Sequence, residues 1–250
     1  MATSGTTTFN PSIDDIIEEA YERTNVRGAR TGYQLKSARR SLNILLSEWG
    51  NRGIHLWKIK LASVPLVEGQ ALYNYTSDTA NFPTDISDVL ESYIRNNTTA
   101  TAPVDTALSK IDRSSYSALP NKLSKGTPSQ YYVQRQAYVR NAAGTITASP
   151  NIYLYTTPSS SFSGANYSVN FYYMAQLEDA GAYTNTSDVI FRFYPCLISG
   201  LAYYLSMKYS PDRIADLKMI YEDELARAVA EDGQRTSTYI TPQTFYGDGV

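Results

Sequence analysis

Apolar residues recur at helical spacing at both ends of this chain, whereas the stretch between them breaks into short strand-like runs. A chain with that arrangement segregates its helices from its strands along the sequence, which makes the fold class α+β. Ile13, Ile16, Ile17, Ala20 and Tyr21 form the first helical stripe, and Ser12 with Asp15 three residues on carries the signal of a reciprocal N-cap. After a turn through Arg27 and Gly28, Thr31 and Gln34 repeat that signal. Leu35, Ala38, Leu42, Leu45, Leu46 and Trp49 then carry a second stripe as far as Gly50 and Gly53. Residues 1–53 therefore read as two helices in an antiparallel hairpin.

Residues 54–186 read as an antiparallel β domain. Runs at Leu56 to Val67, Ala71 to Tyr75, Val89 to Arg95, Gln130 to Arg140, Ile152 to Tyr155 and Tyr167 to Met174 are separated by Pro, Gly, Asn, Ser and Thr clusters. That is about five to seven strands, a sandwich or an open barrel. Asn96 to Pro103 and Thr156 to Gly164 read as short polar loops. Over 187–233 the pattern is helical again. Phe191 to Tyr209 is apolar nearly all round, as suits a helix buried on several sides. Ser210 before Pro211 predicts a capped start for a last helix, whose stripe is Ile214, Leu217, Tyr221, Leu225 and Ala228 and which ends near Gly233. This C-terminal helix pair is expected to pack on the N-terminal helices as one bundle, with the β domain inserted. Residues 234–250 read as an extended tail that docks on a partner through Tyr239, Ile240, Thr241, Pro242, Phe245 and Tyr246. No internal repeat is evident.

Composition narrows the function by exclusion. Lys plus Arg total 22 and Asp plus Glu 24, so no overall basic field draws the chain to nucleic acid. The 22 tyrosines suit half-buried strands and protein interfaces equally well. Met1 to Asn10 does not resemble a secretory signal, and the apolar run Phe193 to Met207 is shorter than the roughly 20 residues of a membrane-spanning helix. No membrane association is expected. The only histidine is His55, in a strand-like run, and the only cysteine is Cys196, in an apolar helix. Neither a Ser-His-Asp or Cys-His site nor a structural zinc can be assembled from them. GxSxG, HExxH, Walker-type and GxGxxG motifs do not occur. No cofactor or metal is expected.

Acid groups at Asp14 and Asp15, Glu18 and Glu19, Glu178 and Asp179, Glu222 to Glu224, and Glu231 and Asp232 read as solvated faces, because adjacent helix positions diverge around the axis. A glycosidase whose two carboxylates come from distant strand ends stays open, as does calcium held by scattered loop acids. Arg23, Arg27, Arg30, Lys36, Arg39 and Arg40 cluster around and along the second helix. They read either as a contact with phosphate or an acidic neighbour, or as a solvated face opposite the Leu and Trp stripe.

Several segments in order carry a resemblance. Arg40 to Trp57, RSLNILLSEWGNRGIHLW, is followed by GQALY at Gly69 to Tyr73 and PTD at Pro83 to Asp85. DRSSY at Asp112 to Tyr116, LPNK at Leu119 to Lys122 and GTPSQYY at Gly126 to Tyr132 come next. The series closes with GLA at Gly200 to Ala202, Lys208 and Tyr209, Tyr221, and EDGQR at Glu231 to Arg235. Together they resemble the head-to-tail adaptor (connector) proteins of tailed bacteriophages, the group of tail tubular protein A and the tail accessory factors of short-tailed phages. The resemblance implies a structural virion protein, not an enzyme. It implies a dodecameric ring at the head-tail junction, assembled in the host cytoplasm, with the portal protein above and the tail or nozzle protein below. Packaged DNA would pass through its channel without sequence specificity, and residues 235–250 would reach the portal. Two other readings stay open: a carbohydrate-binding or carbohydrate-hydrolysing virion protein, and a neck or head-completion protein of a longer-tailed phage.

Overall fold

A computed structural model of the chain describes residues 5–26, 28, 30–54, 56–99 and 101–232. In chain order its elements are helices α1 (Ile13–Arg23) and α2 (Gly32–Asn51), strands β1 (Ile59–Leu66), β2 (Leu72–Tyr73), β3 (Ile86–Asn96), β4 (Val104–Ala107) and β5 (Ser109–Ile111), and the short helix α3 (Arg113–Ala118). Strands β6 (Lys125–Gly126), β7 (Gln130–Gln134), β8 (Val139–Arg140), β9 (Ile146–Ala148), β10 (Asn151–Tyr155), β11 (Thr157–Pro158) and β12 (Gly164–Ala175) follow, then helices α4 (Tyr194–Tyr209) and α5 (Ile214–Asp232). The fold is α+β. The chain divides into two compact units, one of residues 1–45 with 180–250 and one of residues 46–179.

The first unit is helical, and local signals start its first two helices. The Ser12 hydroxyl accepts from the Asp15 amide at 3.2 Å while the Asp15 carboxylate accepts from the Ser12 amide at 2.9 Å, a closed capping box. Thr31 and Gln34 make the same exchange at the head of α2, at 3.3 and 2.9 Å. Two further amides of the first turn of α1 donate outward, Ile13 to the Asn185 carbonyl at 2.8 Å and Asp14 to that of Tyr183 at 3.0 Å. The segment before α4 thus satisfies donors that a helix start always leaves open.

The stripe of α1, from Ile13 to Tyr21, is fully buried, as are Ala38, Leu42 and Leu45 of α2. Helix α4 packs extensively against both α1 and α5. Gly200 makes room for this packing. A Cβ there would lie 2.8 Å from the Tyr221 ring and 3.0 Å from the Leu45 side chain. Helix α4 buries Cys196, Leu197, Leu201, Ala202 and Leu205 together, consistent with its nearly continuous apolar sequence. One expectation fails at the next helix. The Ser210 hydroxyl does not cap it but donates to the Thr24 carbonyl at 2.9 Å, because a 3-10 turn over Pro211–Arg213 precedes α5 and a tertiary acceptor stands closer.

The second unit is built on two four-stranded sheets, in the orders β1-β12-β3-β4 and β2-β10-β7-β5. Long β12 is the spine of the first, antiparallel to β1 from Ile59 opposite Met174 and to β3 on its other side. One apolar core serves both sheets. Ala62, Val64, Leu66, Val89, Ile94, Val169 and Phe171 of the first sheet share it with Tyr73, Tyr131, Ile152 and Leu154 of the second. Alternation along β1 and β10 places those side chains inward. Tyr131 also ties the sheets by a hydrogen bond from its hydroxyl to the Leu90 carbonyl at 3.1 Å.

The strand pattern differs from expectation in three places. Thr156 to Gly164 is not merely a polar loop, since Thr157 and Pro158 are buried and form β11, parallel to β6. The run Gln130 to Arg140 splits into β7 and β8, and β8 forms a separate hairpin with β9. The weakly apolar strands β4 and β5 and helix α3 carry no periodic signal. Main-chain pairing to β3 and β7 makes the strands, and the Asp112 carboxylate, accepting from the Ser115 amide at 2.6 Å, starts the helix.

Candidate interaction site

The basic residues singled out in the sequence separate into two groups. Arg23 is engaged by Glu19 at 3.0 Å and by Glu224 at 3.8 Å. Arg30 lies 4.5 Å from the centroid of the Tyr21 ring and donates to the Gly28 carbonyl at 3.0 Å. Arg39 donates to the Gly181 carbonyl at 3.1 Å and lies over Tyr183 at 5.3 Å. These three guanidiniums pack the helical unit to itself and are not one continuous binding face. Arg27 lies outside the described residues, as do His55 and Tyr239, Ile240, Thr241, Pro242, Phe245 and Tyr246.

Lys36 and Arg40 differ from them. Both are exposed on α2, one helical turn apart, with no carboxylate within 4 Å among the described residues. A third cation joins them. The Lys208 ammonium, from the last turn of α4, donates to the Ser41 hydroxyl at 2.6 Å and to the Ser37 hydroxyl at 3.1 Å. Partial burial first, and the charge of Arg40 second, hold its pKa below the ordinary lysine value. Lys208 escaped the sequence reading because it sits alone in an apolar helix, and only tertiary packing brings it to α2.

Helix α1 shows the opposite charge. Ile13, Ile16, Ile17, Ala20 and Tyr21 are buried, which turns Asp14, Glu18 and Glu22 outward at four-residue intervals. Those three carboxylates form a ridge with no cation within 4 Å among the described residues, while their neighbours Asp15 and Glu19 are taken by Ser12 and Arg23. The two acid pairs of α1 thus each place one member on a partner and turn the other outward.

In the sheet unit, an open groove of 670 Å³ is lined by Tyr75, Asp85, Arg140, Tyr173 and Asp179, among others. Its chemistry is largely spent. Asp85 accepts from Lys60 at 2.9 Å and from the Tyr173 hydroxyl at 3.2 Å, and the rings of Phe82 and Tyr173 belong to the core. Tyr116, Tyr132 and Tyr153 stack on one another with centroids 5.2 to 5.8 Å apart, so their faces are shared among themselves. Among the described residues no group of three or more His, Cys, Asp or Glu could hold a metal ion, and no helix is long and apolar enough to cross a membrane.

What remains is a helical unit with two open charged ridges and a sheet unit with self-satisfied aromatics. Residues 5–244, nearly the whole chain, match the family described as SU10 adaptor protein. The chain belongs to the SU10 adaptor protein family. It is a phage adaptor, a structural protein that associates with other head-tail proteins. The family assignment places the resemblance seen in the sequence at the level of phage adaptors, with the match falling on the SU10 family. No curated protein matches the chain. For an adaptor the relevant sites are surfaces that meet other chains, and the open ridges of α1 and of α2 with α4 are the candidates.

Proposed function

We propose that this adaptor assembles as a closed, dodecameric ring between the portal and the tail or nozzle, extends the DNA channel, and has no catalytic activity. The observation that carries the reading is the family match, which spans both compact units rather than one of them. A ring of identical subunits needs two different faces that fit each other, and the helical unit offers two charged faces of opposite sign. Residues 235–250 are the portal-binding segment in this reading, with Tyr239, Ile240, Pro242, Phe245 and Tyr246 as its anchors. Each such contact is weak alone and becomes effective when a ring supplies many at once. DNA passes as a sliding, sequence-independent polyanion, consistent with a chain of formal charge -2 that has no strongly basic field.

Electron microscopy of the purified protein, with and without its co-encoded portal, tests this directly. A ring of this chain on the lower rim of the portal, with countable subunits, is the expected image. A persistent monomer indifferent to the portal removes the proposal. Deleting residues 235–250 is expected to leave the circular dichroism spectrum and melting temperature unchanged while abolishing co-sedimentation with the portal.

A further inference from the structure

The open charges of the helical unit find no opposite charge among the described residues of their own chain. Lys36 and Arg40 stand four residues apart on α2, and Asp14, Glu18 and Glu22 stand at the same interval on α1, so both ridges repeat at about 6 Å along a helix. Like charges at this spacing repel each other within their own helix. Neither ridge is relieved internally, since no opposite charge lies within 4 Å of either among the described residues. Lys208 adds a third cation beside α2, anchored by Ser37 and Ser41 and with no carboxylate within 4 Å among the described residues.

We propose that the Lys36, Arg40 and Lys208 patch is one side of the interface between neighbouring copies of this chain, and that the Asp14, Glu18 and Glu22 ridge of the next copy is the other. The proposal rests on the ring reading and deepens it by naming the contact. Charge complementarity within a single sequence favours a second copy over DNA as occupant. A chain with more acids than bases repels a polyanion overall, whereas its own α1 ridge matches the patch in sign and repeat. The two faces differ, so the contact is heterologous and propagates around a ring instead of closing a two-fold dimer. Its bonds are exposed and so weaken with salt.

The test is a charge-reversal exchange in the full-length chain. Lys36→Glu with Arg40→Glu makes variant A, and Glu18→Lys with Glu22→Lys makes variant B. Each alone presents two like-charged faces and is expected to self-associate roughly ten- to hundredfold more weakly than the natural chain, by sedimentation velocity in the presence of portal. Mixed in equal amounts, A and B meet with opposite charges at every contact, and assembly is expected to return in alternating order. That rescue also shows that both variants are folded. If the natural chain rings the portal and A and B each do so equally well, the proposed contact is wrong while the ring reading stands. If A and B each lose assembly and the mixture does not recover it, the pairing is likewise wrong. If variant A keeps assembly but loses retention of duplex DNA, the patch belongs to nucleic acid and the proposal falls. If the natural chain never associates, with or without portal, the ring reading and the contact fall together.

Discussion

At Cys196 the thiol lies fully buried in α4 and donates to the Phe193 carbonyl at 3.2 Å. Burial first, and the charge of Glu224 second, push its pKa up to about 12. The reactive thiolate is therefore absent at neutral and mildly alkaline pH. Iodoacetamide is expected to leave the native protein unlabelled and to modify it stoichiometrically in denaturant, as mass spectrometry would record. Rapid labelling of the native chain would contradict the buried placement. Trp49, the last residue of the α2 stripe, has no exposed surface. Trp49→Ala is expected to cost about 3 to 5 kcal/mol through lost contacts and a residual cavity. Urea unfolding followed by circular dichroism measures that directly.

Between elements, α4 comes close to Tyr221 of α5 and Leu45 of α2 at Gly200. Alanine favours an isolated helix over glycine by about 1 kcal/mol. Here its methyl group would press on two fully buried side chains, and such overpacking costs about 1 to 3 kcal/mol. Gly200→Ala is accordingly expected to lower the melting temperature despite its better helix propensity, and an unchanged or higher value would show that the helices can part at little cost. Propensity is the wrong guide at this position because it describes a helix without neighbours. The same lesson holds for Ser210. Its place before Pro211 makes a good N-cap on paper, but its hydroxyl is taken by the Thr24 carbonyl, distant in sequence. The caps at Ser12 and Thr31 succeeded because both partners of each lie within one turn.

Across the whole molecule, the tyrosines that bind the two sheets give the fold a sensitivity to high pH. Burial raises Tyr73, Tyr131 and Tyr138 from 10.0 to about 12. A group whose folded pKa is raised stabilises fully below its unfolded value, and that contribution is lost as the pH climbs through the folded one. Stability is therefore expected to be unaffected by these phenols below pH 10 and to fall between pH 10 and 12. Phenolate absorbance followed together with far-ultraviolet circular dichroism is expected to show some tyrosines ionising early and a late group ionising only as the structure is lost. A single early ionisation of all tyrosines in a folded protein would rule this out.

Local patterns alone determined the four long helices, the first two caps, the inserted antiparallel sheet region and the α+β class, because each is written in residues no more than a few positions apart. The stripes of α1 and α2 and the alternation of β1 and β10 fall in this group. Family membership was legible for a similar reason, as a series of short motifs in a set order along the chain. Tertiary structure alone decided the rest. Helix α1 packs along α4, which lies far along the chain and which no spacing in the sequence names as its partner. Strands β4, β5 and β11 exist because backbone partners reach them, not because their own residues favour extension. Of the six basic residues, the five described became three guanidiniums locked into the helical unit and an open pair, to which packing added Lys208. Which charges are spent internally and which face outward depends on distances between residues far apart in the chain, and spacing along the sequence holds no record of those distances.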